Sequence, residues 1–75
     1  MPLNKSFANV LKRLRIRKGL SQEDMALKAN LHRTYISQLE RGLKSPTLNT
    51  ISTIAEVLEI PLAQFMKLVQ EDLEE

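Results

Sequence analysis

The sequence contains no cysteine and a single histidine in 75 residues. Without cysteine it can form neither a disulfide framework nor a thiolate metal cluster, which suits a reducing compartment and leaves stability to packing. His32 has no second His and no Cys to complete a metal site, so we expect no metal and no cofactor. The lone histidine, the missing glycine-rich phosphate loop and the absence of paired carboxylates in a predicted cleft also argue against an enzyme.

Long apolar runs are missing as well. The longest are only a few residues, far below the roughly 20 that cross a bilayer, and the segment MPLNKSFANV has no long apolar stretch of the signal-peptide kind. We therefore expect a soluble, cytoplasmic protein with no membrane partner. A chain of this length buries one small core, which predicts a single domain over residues 1–75.

Charge is abundant but divided between two halves of the chain. Residues 1–44 carry ten Lys and Arg against three acids, a net charge of +7, whereas residues 45–75 carry only Lys67 against six acids, a net charge of −5. Such polarity is typical of a protein that meets a polyanion with one part of its surface. Two solvated faces of opposite sign would give the same count, and charge alone does not decide between them.

Helical spacing of apolar residues predicts five helices, and no strand pattern competes. The first covers about residues 5–18, with Phe7, Val10, Leu11 and Leu14 as its buried stripe and Gly19 as its stop. The others are predicted over about residues 22–29, over about 33–41, from Thr47 through a stripe of Leu48, Ile51, Ile54, Ala55 and Leu58, and over about 62–71. These predictions define an all-α protein.

The second and third helices are the most informative pair. Ser21 and Asp24 resemble a capping box, and Asn30 tolerates the positive φ of a tight turn. Two short helices joined by a turn of three or four residues form a helix-turn-helix, whose second helix enters the DNA major groove. The third helix has Ile36 and Leu39 on its inner side and Arg, Thr, Ser and Gln side chains on its outer side, which are groups able to read base edges.

The stretch GLSQEDMALKANLHRTYISQLERG resembles the signature of the Cro/CI-type (XRE-type) helix-turn-helix regulators. SPTLNTISTIAEVLEIP is similar to the fourth helix and following turn of that family, and LHRTYIS is most like the controller proteins of restriction-modification systems. The resemblance implies a compact, five-helix, lambda-repressor-like DNA-binding domain. Three residues depart from the commoner pattern: Asn30 and Glu59 replace Gly, and His32 replaces a Ser, Thr or Asp cap. Asn30 and His32 put the stability of the turn and the phosphate contact at position 32 in doubt.

DNA contacts are expected along and around the third helix. We expect base contacts from Arg33, Thr34, Ser37 and Gln38, with Arg33 as the main reader because its planar fork can bond two acceptors of guanine. An Arg33 that contacts only phosphate, and solvated side chains at the other three positions, are the alternatives. Phosphate contacts are expected from Gln22, whose role the resemblance also implies, and from His32, Tyr35, Arg41, Lys44 and Ser45. A purely capping His32, a core-only Tyr35 and a solvated basic loop are the competing interpretations.

The last helix has more apolar residues than its own core face requires. We predict a symmetric homodimer through Val57, Leu62, Phe65, Met66, Leu68 and Val69, and the alternative is that all of these belong to the chain's own core. The family resemblance further implies a structural ion pair between Arg15 and Glu40.

The expected function is a sequence-specific, double-stranded DNA-binding transcriptional regulator that acts as a homodimer on a near-palindromic operator. Control of a restriction-modification system is the narrower expectation, and RNA polymerase is a further candidate partner. The competing hypothesis is a protein-interaction module, such as an antitoxin, that uses the acidic half of the chain as its contact surface.

Overall fold

The computed structural model describes residues 2–75, which form five α-helices and no strand. The helices are α1 (Pro2–Arg17), α2 (Gln22–Ala29), α3 (Arg33–Glu40), α4 (Leu48–Val57) and α5 (Leu62–Leu73). The predicted all-α, five-helix class is confirmed. No helix within residues 2–75 combines the length and the apolar character that crossing a bilayer requires.

Helix α1 begins at Pro2, earlier than the predicted start near residue 5. Proline is tolerated in a first helical turn, because its missing N–H would have no partner within the helix there. At 100° per residue, Leu3 falls on the same side of α1 as Phe7 and Val10. It is nevertheless 47% exposed, so the first turn of α1 extends beyond the buried part of the helix.

The start and the end of α2 are both fixed by local hydrogen bonds. The Ser21 hydroxyl accepts from the backbone N–H of Asp24 at 2.9 Å, and the Asp24 carboxylate accepts from the backbone N–H of Ser21 at 3.1 Å. These bonds favour the ionised carboxylate and so hold the pKa of Asp24 below its ordinary range. At the other end, Asn30 takes a left-handed conformation with φ 56°, and the N–H of Leu31 donates to Ala26 at 2.9 Å. This turn sets the direction in which α3 leaves.

One core lies beneath the helix-turn-helix. Phe7 of α1 and Phe65 of α5 are both buried, with ring centroids 5.5 Å apart. α1 packs against α3 as well as α5, and α2 packs against α3 and α4. The remaining large side chains that are fully buried are Leu11, Met25, Ile36, Leu39, Ile54, Val10 and Val69. Helices α2 and α3 are thus fixed by their apolar sides and turn their polar sides outward.

Helix α4 differs from its predicted stripe at one position. Leu48 is 80% exposed, whereas Ile51, Ile54, Ala55 and Leu58 are buried as the spacing predicts. Leu48 is the first residue of the helix, and α4 meets the core from Ile51 onward. Spacing alone assigns a terminal residue to the stripe even where no neighbouring element covers it.

The turn after α4 uses a left-handed residue that is not glycine. Glu59 has φ 60°, and the N–H of Ile60 donates to the carbonyl of Ala55 at 3.1 Å. The Glu59 carboxylate also pairs with Lys18 at the end of α1, and this contact lowers the pKa of Glu59. The departure from glycine at this position therefore comes with an ion pair between two turns.

Candidate nucleic-acid interface

The outer side of α3 gathers the four side chains that were expected to contact bases. Arg33 and Thr34 are exposed, and Ser37 and Gln38 are half-buried. At 100° per residue, these four positions occupy an arc of about 140° on one side of the helix. The other side is anchored by Ile36 and Leu39, which are both fully buried. The side chains therefore stand together on a rigid, apolar base.

The starts of α2 and α3 open onto a common groove. Gln22 is the first residue of α2 and Arg33 the first residue of α3. The groove is lined by Arg15, Ser21, Gln22, Glu23, Asp24 and Arg33. Unpaired backbone N–H groups at a helix start favour an anion, and Arg33 adds a full positive charge. The sequence predicted a DNA contact for Gln22 and another for Arg33, but it did not show that the two residues share one groove.

A buried ion pair joins α1 to the end of α3. Arg15 Nε and Nη2 donate to the two carboxylate oxygens of Glu40 at 2.5 and 2.9 Å. Arg15 Nη1 donates to the carbonyl of Leu20 at 2.7 Å, and Gln22 Nε2 donates to Glu40 Oε1 at 3.2 Å. The hydrogen bonds that Arg15 donates to Glu40 raise the pKa of Arg15, so the guanidinium stays charged. The pair implied by the resemblance is present, whereas its bonds to Leu20 and Gln22 were not predicted.

The loop after α3 presents an exposed basic edge. Arg41, Lys44 and Ser45 are all exposed. Gly42 has φ 73°, and a Cβ at this position would lie 3.7 Å from the Cα of Lys5. Lys5, from the first part of α1, is thereby brought beside the loop. Sequence reasoning missed Lys5, because only the fold brings this part of α1 next to residue 42.

His32 and Tyr35 lie at the border of this surface. His32 occupies the N-cap position of α3, but its imidazole makes no capping hydrogen bond. Its backbone carbonyl accepts from the N–H groups of Tyr35 and Ile36 at 3.0 and 3.1 Å. Tyr35 is half-buried and packs against the core. The capping role considered for the His32 side chain is therefore wrong, because its imidazole makes no bond to the first turn of α3.

The apolar side chains of α5 divide into two groups. Phe65 and Val69 are 0% and 1% exposed within a single chain. Predicting them as dimer contacts was wrong, because they fill the core against α1 and offer no surface to a second copy. Val57, Met66 and Leu68 are half-buried against the core, and Leu62 is 41% exposed.

One edge of α5 retains an exposed apolar strip. Leu62, Met66 and Leu73 fall within an arc of about 40° at 100° per residue. Leu3 of α1 is 47% exposed and lines a small groove together with Met66. We call these four residues, Leu3, Leu62, Met66 and Leu73, the α5 strip. Leu3 and Leu73 follow the apolar spacing of their helices, but spacing does not show whether a side chain near a helix end is covered by a neighbouring element.

The described residues offer no cluster of metal ligands. Between residues 2 and 75, no three His, Asp or Glu side chains lie together in a way that could hold a metal ion. The polar groups at the groove are instead donors and cations mixed with two carboxylates.

Comparison with known proteins gives consistent matches. Residues 11–65 match the sequence profile of the helix-turn-helix family. Control protein C.BamHI of Bacillus amyloliquefaciens is 38% identical over 55 residues, which are 72% of this chain and 68% of that protein. Control protein C.MunI of Mycoplasma sp is 36% identical over 67 residues, which are 88% of this chain and 90% of that protein.

A solved structure matches over nearly the whole chain. The restriction-modification controller protein C.Esp1396I, crystallised as a tetramer with its natural 35 base-pair operator, superposes with a TM-score of 0.89 and 34% sequence identity. The match covers 97% of this chain and 96% of the C.Esp1396I chain.

Proposed function

This chain belongs to the helix-turn-helix family, of the Cro/CI (XRE) type, and on that premise we propose that it is a sequence-specific, double-stranded DNA-binding transcriptional regulator. The observation that carries the proposal is the outer side of α3, where Arg33, Thr34, Ser37 and Gln38 stand together beside the start of α2. Groups of these types distinguish base pairs by their donor and acceptor patterns in the major groove. The proposed role is binding, without catalysis.

The contacts divide into base reading and positioning. Arg33 is proposed to bond O6 and N7 of a guanine, with Thr34, Ser37 and Gln38 contacting neighbouring bases. Phosphate contacts are proposed for Gln22, His32, Tyr35, Arg41, Lys44 and Ser45. The net charge of +7 over residues 1–44 supports this division, because charge attracts the backbone without selecting a sequence.

We propose that the protein acts as a homodimer through the α5 strip. An apolar strip that is partly exposed is typical of an interface, and self-complementary use of one patch gives a two-fold axis. Such a dimer would hold its two α3 helices about 34–36 Å apart and bind half-sites one helical turn apart. Phe65 and Val69 are left out of this interface because they are core residues, and the half-buried Val57 and Leu68 stay proposed contacts beside the α5 strip.

The biological setting follows from the similarity to restriction-modification controller proteins. We propose that this chain controls the expression of a restriction-modification system, with RNA polymerase as a partner at the promoter. A regulator of this kind works where the DNA is, so the proposed location is the cytoplasm.

Selection of bound sites from random duplex DNA, followed by fluorescence polarisation over a salt series, tests the proposal. We expect a near-palindrome with half-sites one turn apart, and affinity that falls steeply with salt, because each phosphate contact contributes a slope of about −0.9 in log–log form. The same motif upstream of a restriction gene would support the narrower role. Absence of salt-sensitive binding to any DNA would contradict the proposal and favour the protein-interaction alternative.

A further inference from the structure

Glu40 lies at the end of α3, yet it contacts the first residue of α2. Its Oε1 accepts two hydrogen bonds, from Arg15 Nη2 at 2.9 Å and from Gln22 Nε2 at 3.2 Å. Its Oε2 accepts from Arg15 Nε at 2.5 Å. Glu40 is buried, whereas Gln22 is half-buried and lines the groove that also contains Arg33. The amide of Gln22 therefore bonds to the buried Glu40 carboxylate, while the same side chain lines the groove of the candidate interface.

The chemistry of the two groups gives the amide one orientation. A glutamine amide has a carbonyl that only accepts and an NH2 with two donors, and rotating the amide exchanges them. An ionised carboxylate only accepts, so Glu40 must face the NH2 of Gln22. Arg15 donates to both carboxylate oxygens of Glu40, so both oxygens act as acceptors in this ion pair. One N–H of Gln22 is used by Glu40, and the second remains for another acceptor.

We propose that Glu40 is a positioning residue for DNA binding, which holds the Gln22 amide so that its second N–H meets a DNA phosphate. The inference rests on the proposed DNA-binding function. A phosphate oxygen, like a carboxylate oxygen, only accepts, and it would be repelled by the Gln22 carbonyl if the amide were reversed. Holding the amide in one orientation also removes rotamer freedom before DNA arrives, so less is lost on binding.

This role predicts a result opposite in sign to that of simple charge. Glu40 is an acid, and replacing it by a neutral residue should strengthen attraction to a polyanion if only net charge mattered. If Glu40 positions Gln22, the same replacement weakens binding. Glu40→Gln offers one oxygen where the carboxylate offers two, so Arg15 and the Gln22 amide compete for it.

The test is a double-mutant cycle on the full chain, measured with the selected operator. We expect Glu40→Gln to weaken DNA affinity about fivefold in the presence of Gln22, and to leave affinity unchanged or slightly raised in a Gln22→Ala background. Glu56→Gln is the matched control, because it removes the same charge from an exposed position of α4 that does not line the groove. It should leave affinity unchanged or slightly raise it.

Four outcomes of this experiment have different meanings. An equal loss in both backgrounds would mean that Glu40 acts only on the fold. A gain in affinity in the presence of Gln22 would mean that only the charge of Glu40 matters. Either result overturns the proposal. If Arg33→Ala weakens binding and Gln22→Ala does not, the inference fails while the DNA-binding function stands. If no variant and no wild-type protein binds DNA, the proposed function itself fails.

A measurement on the unmodified protein covers the case in which Glu40→Gln is poorly folded. In 15N NMR spectra, the Gln22 side-chain amide should have one proton shifted and protected in the free protein, and the other should shift when operator is added. Averaged, solvent-like amide signals for Gln22 in the free protein would overturn the proposal.

Discussion

Helices α3 and α5 are packed against the core in the same way, but their exposed side chains differ. Each buries a pair of large apolar side chains, Ile36 and Leu39 in α3 and Phe65 and Val69 in α5. The exposed side of α3 carries Arg, Thr, Ser and Gln, whereas the edge of α5 carries Leu and Met. Since the core makes the same demand of both helices, the exposed sides are where their functions differ.

The means of attachment also differ between the two helices. The end of α3 is held to α1 by the Arg15–Glu40 ion pair in addition to apolar packing, whereas α5 is held to α1 by Phe65 against Phe7 and by one exposed bond from Asn9 to Asp72 at 3.2 Å. Ion pairs depend more on direction than apolar contacts do. This difference suits a helix that must present its side chains in one orientation.

The largest expected effect concerns the exposed side of α3. Arg33→Ala should cost about 1 to 3 kcal/mol of binding free energy per half-site on the operator, or about 2 to 6 kcal/mol for the two half-sites, and little on scrambled DNA. Fluorescence polarisation with both duplexes measures this, and Lys67→Ala on α5 is the control cation. An equal loss on both duplexes would show that Arg33 contacts only phosphate.

The next effect concerns the attachment of α3. Glu40→Leu should lower the free energy of unfolding by about 3 kcal/mol, because it leaves the Arg15 charge buried without its partner. The double variant with Arg15→Met should recover much of that loss, since two apolar side chains can replace the pair. Urea unfolding of the single and double variants decides the point; a double variant no more stable than Glu40→Leu would contradict it.

Much of this comparison could be predicted from the sequence. The spacing of Ile36 and Leu39 predicted which side of α3 is polar, because a packed helix records its buried side every three or four residues. The burial of Phe65 and Val69 against α1 could not be separated from an interface, since apolar spacing is the same whether the partner is the same chain or another. The hydrogen bond from Gln22 to Glu40 could not be predicted from the sequence either, because it depends on where separate helices meet.

The third prediction tests the exposed side of α5. Leu62→Glu should weaken dimerisation by about 2 kcal/mol, because the proposed interface would bury a carboxylate on each copy. Sedimentation equilibrium over a micromolar range measures the dissociation constant. Leu27→Glu, on the exposed side of α2 at 73% exposure, is the matched control and should leave self-association unchanged.

Dimerisation through α5 is also expected to affect operator binding. Loss of the dimer should lower operator affinity while leaving binding to scrambled DNA nearly unchanged, since only the operator needs two correctly spaced α3 helices. A wild-type chain that stays monomeric at these concentrations would contradict the α5 interface, and Leu62→Glu would then act like Leu27→Glu.

The smallest expected effect concerns the capping of α3 at its first turn. α2 begins with the reciprocal capping box of Ser21 and Asp24, whereas α3 begins at His32 without a side-chain cap. His32→Ser supplies a hydroxyl that can accept from the first turn, and should raise the free energy of unfolding by up to about 1 kcal/mol. Operator affinity, measured on the same variant, separates two roles for the imidazole. If His32 contacts phosphate, stability rises while affinity falls; if it does not, stability rises alone, and an unchanged stability would show that this first turn needs no cap.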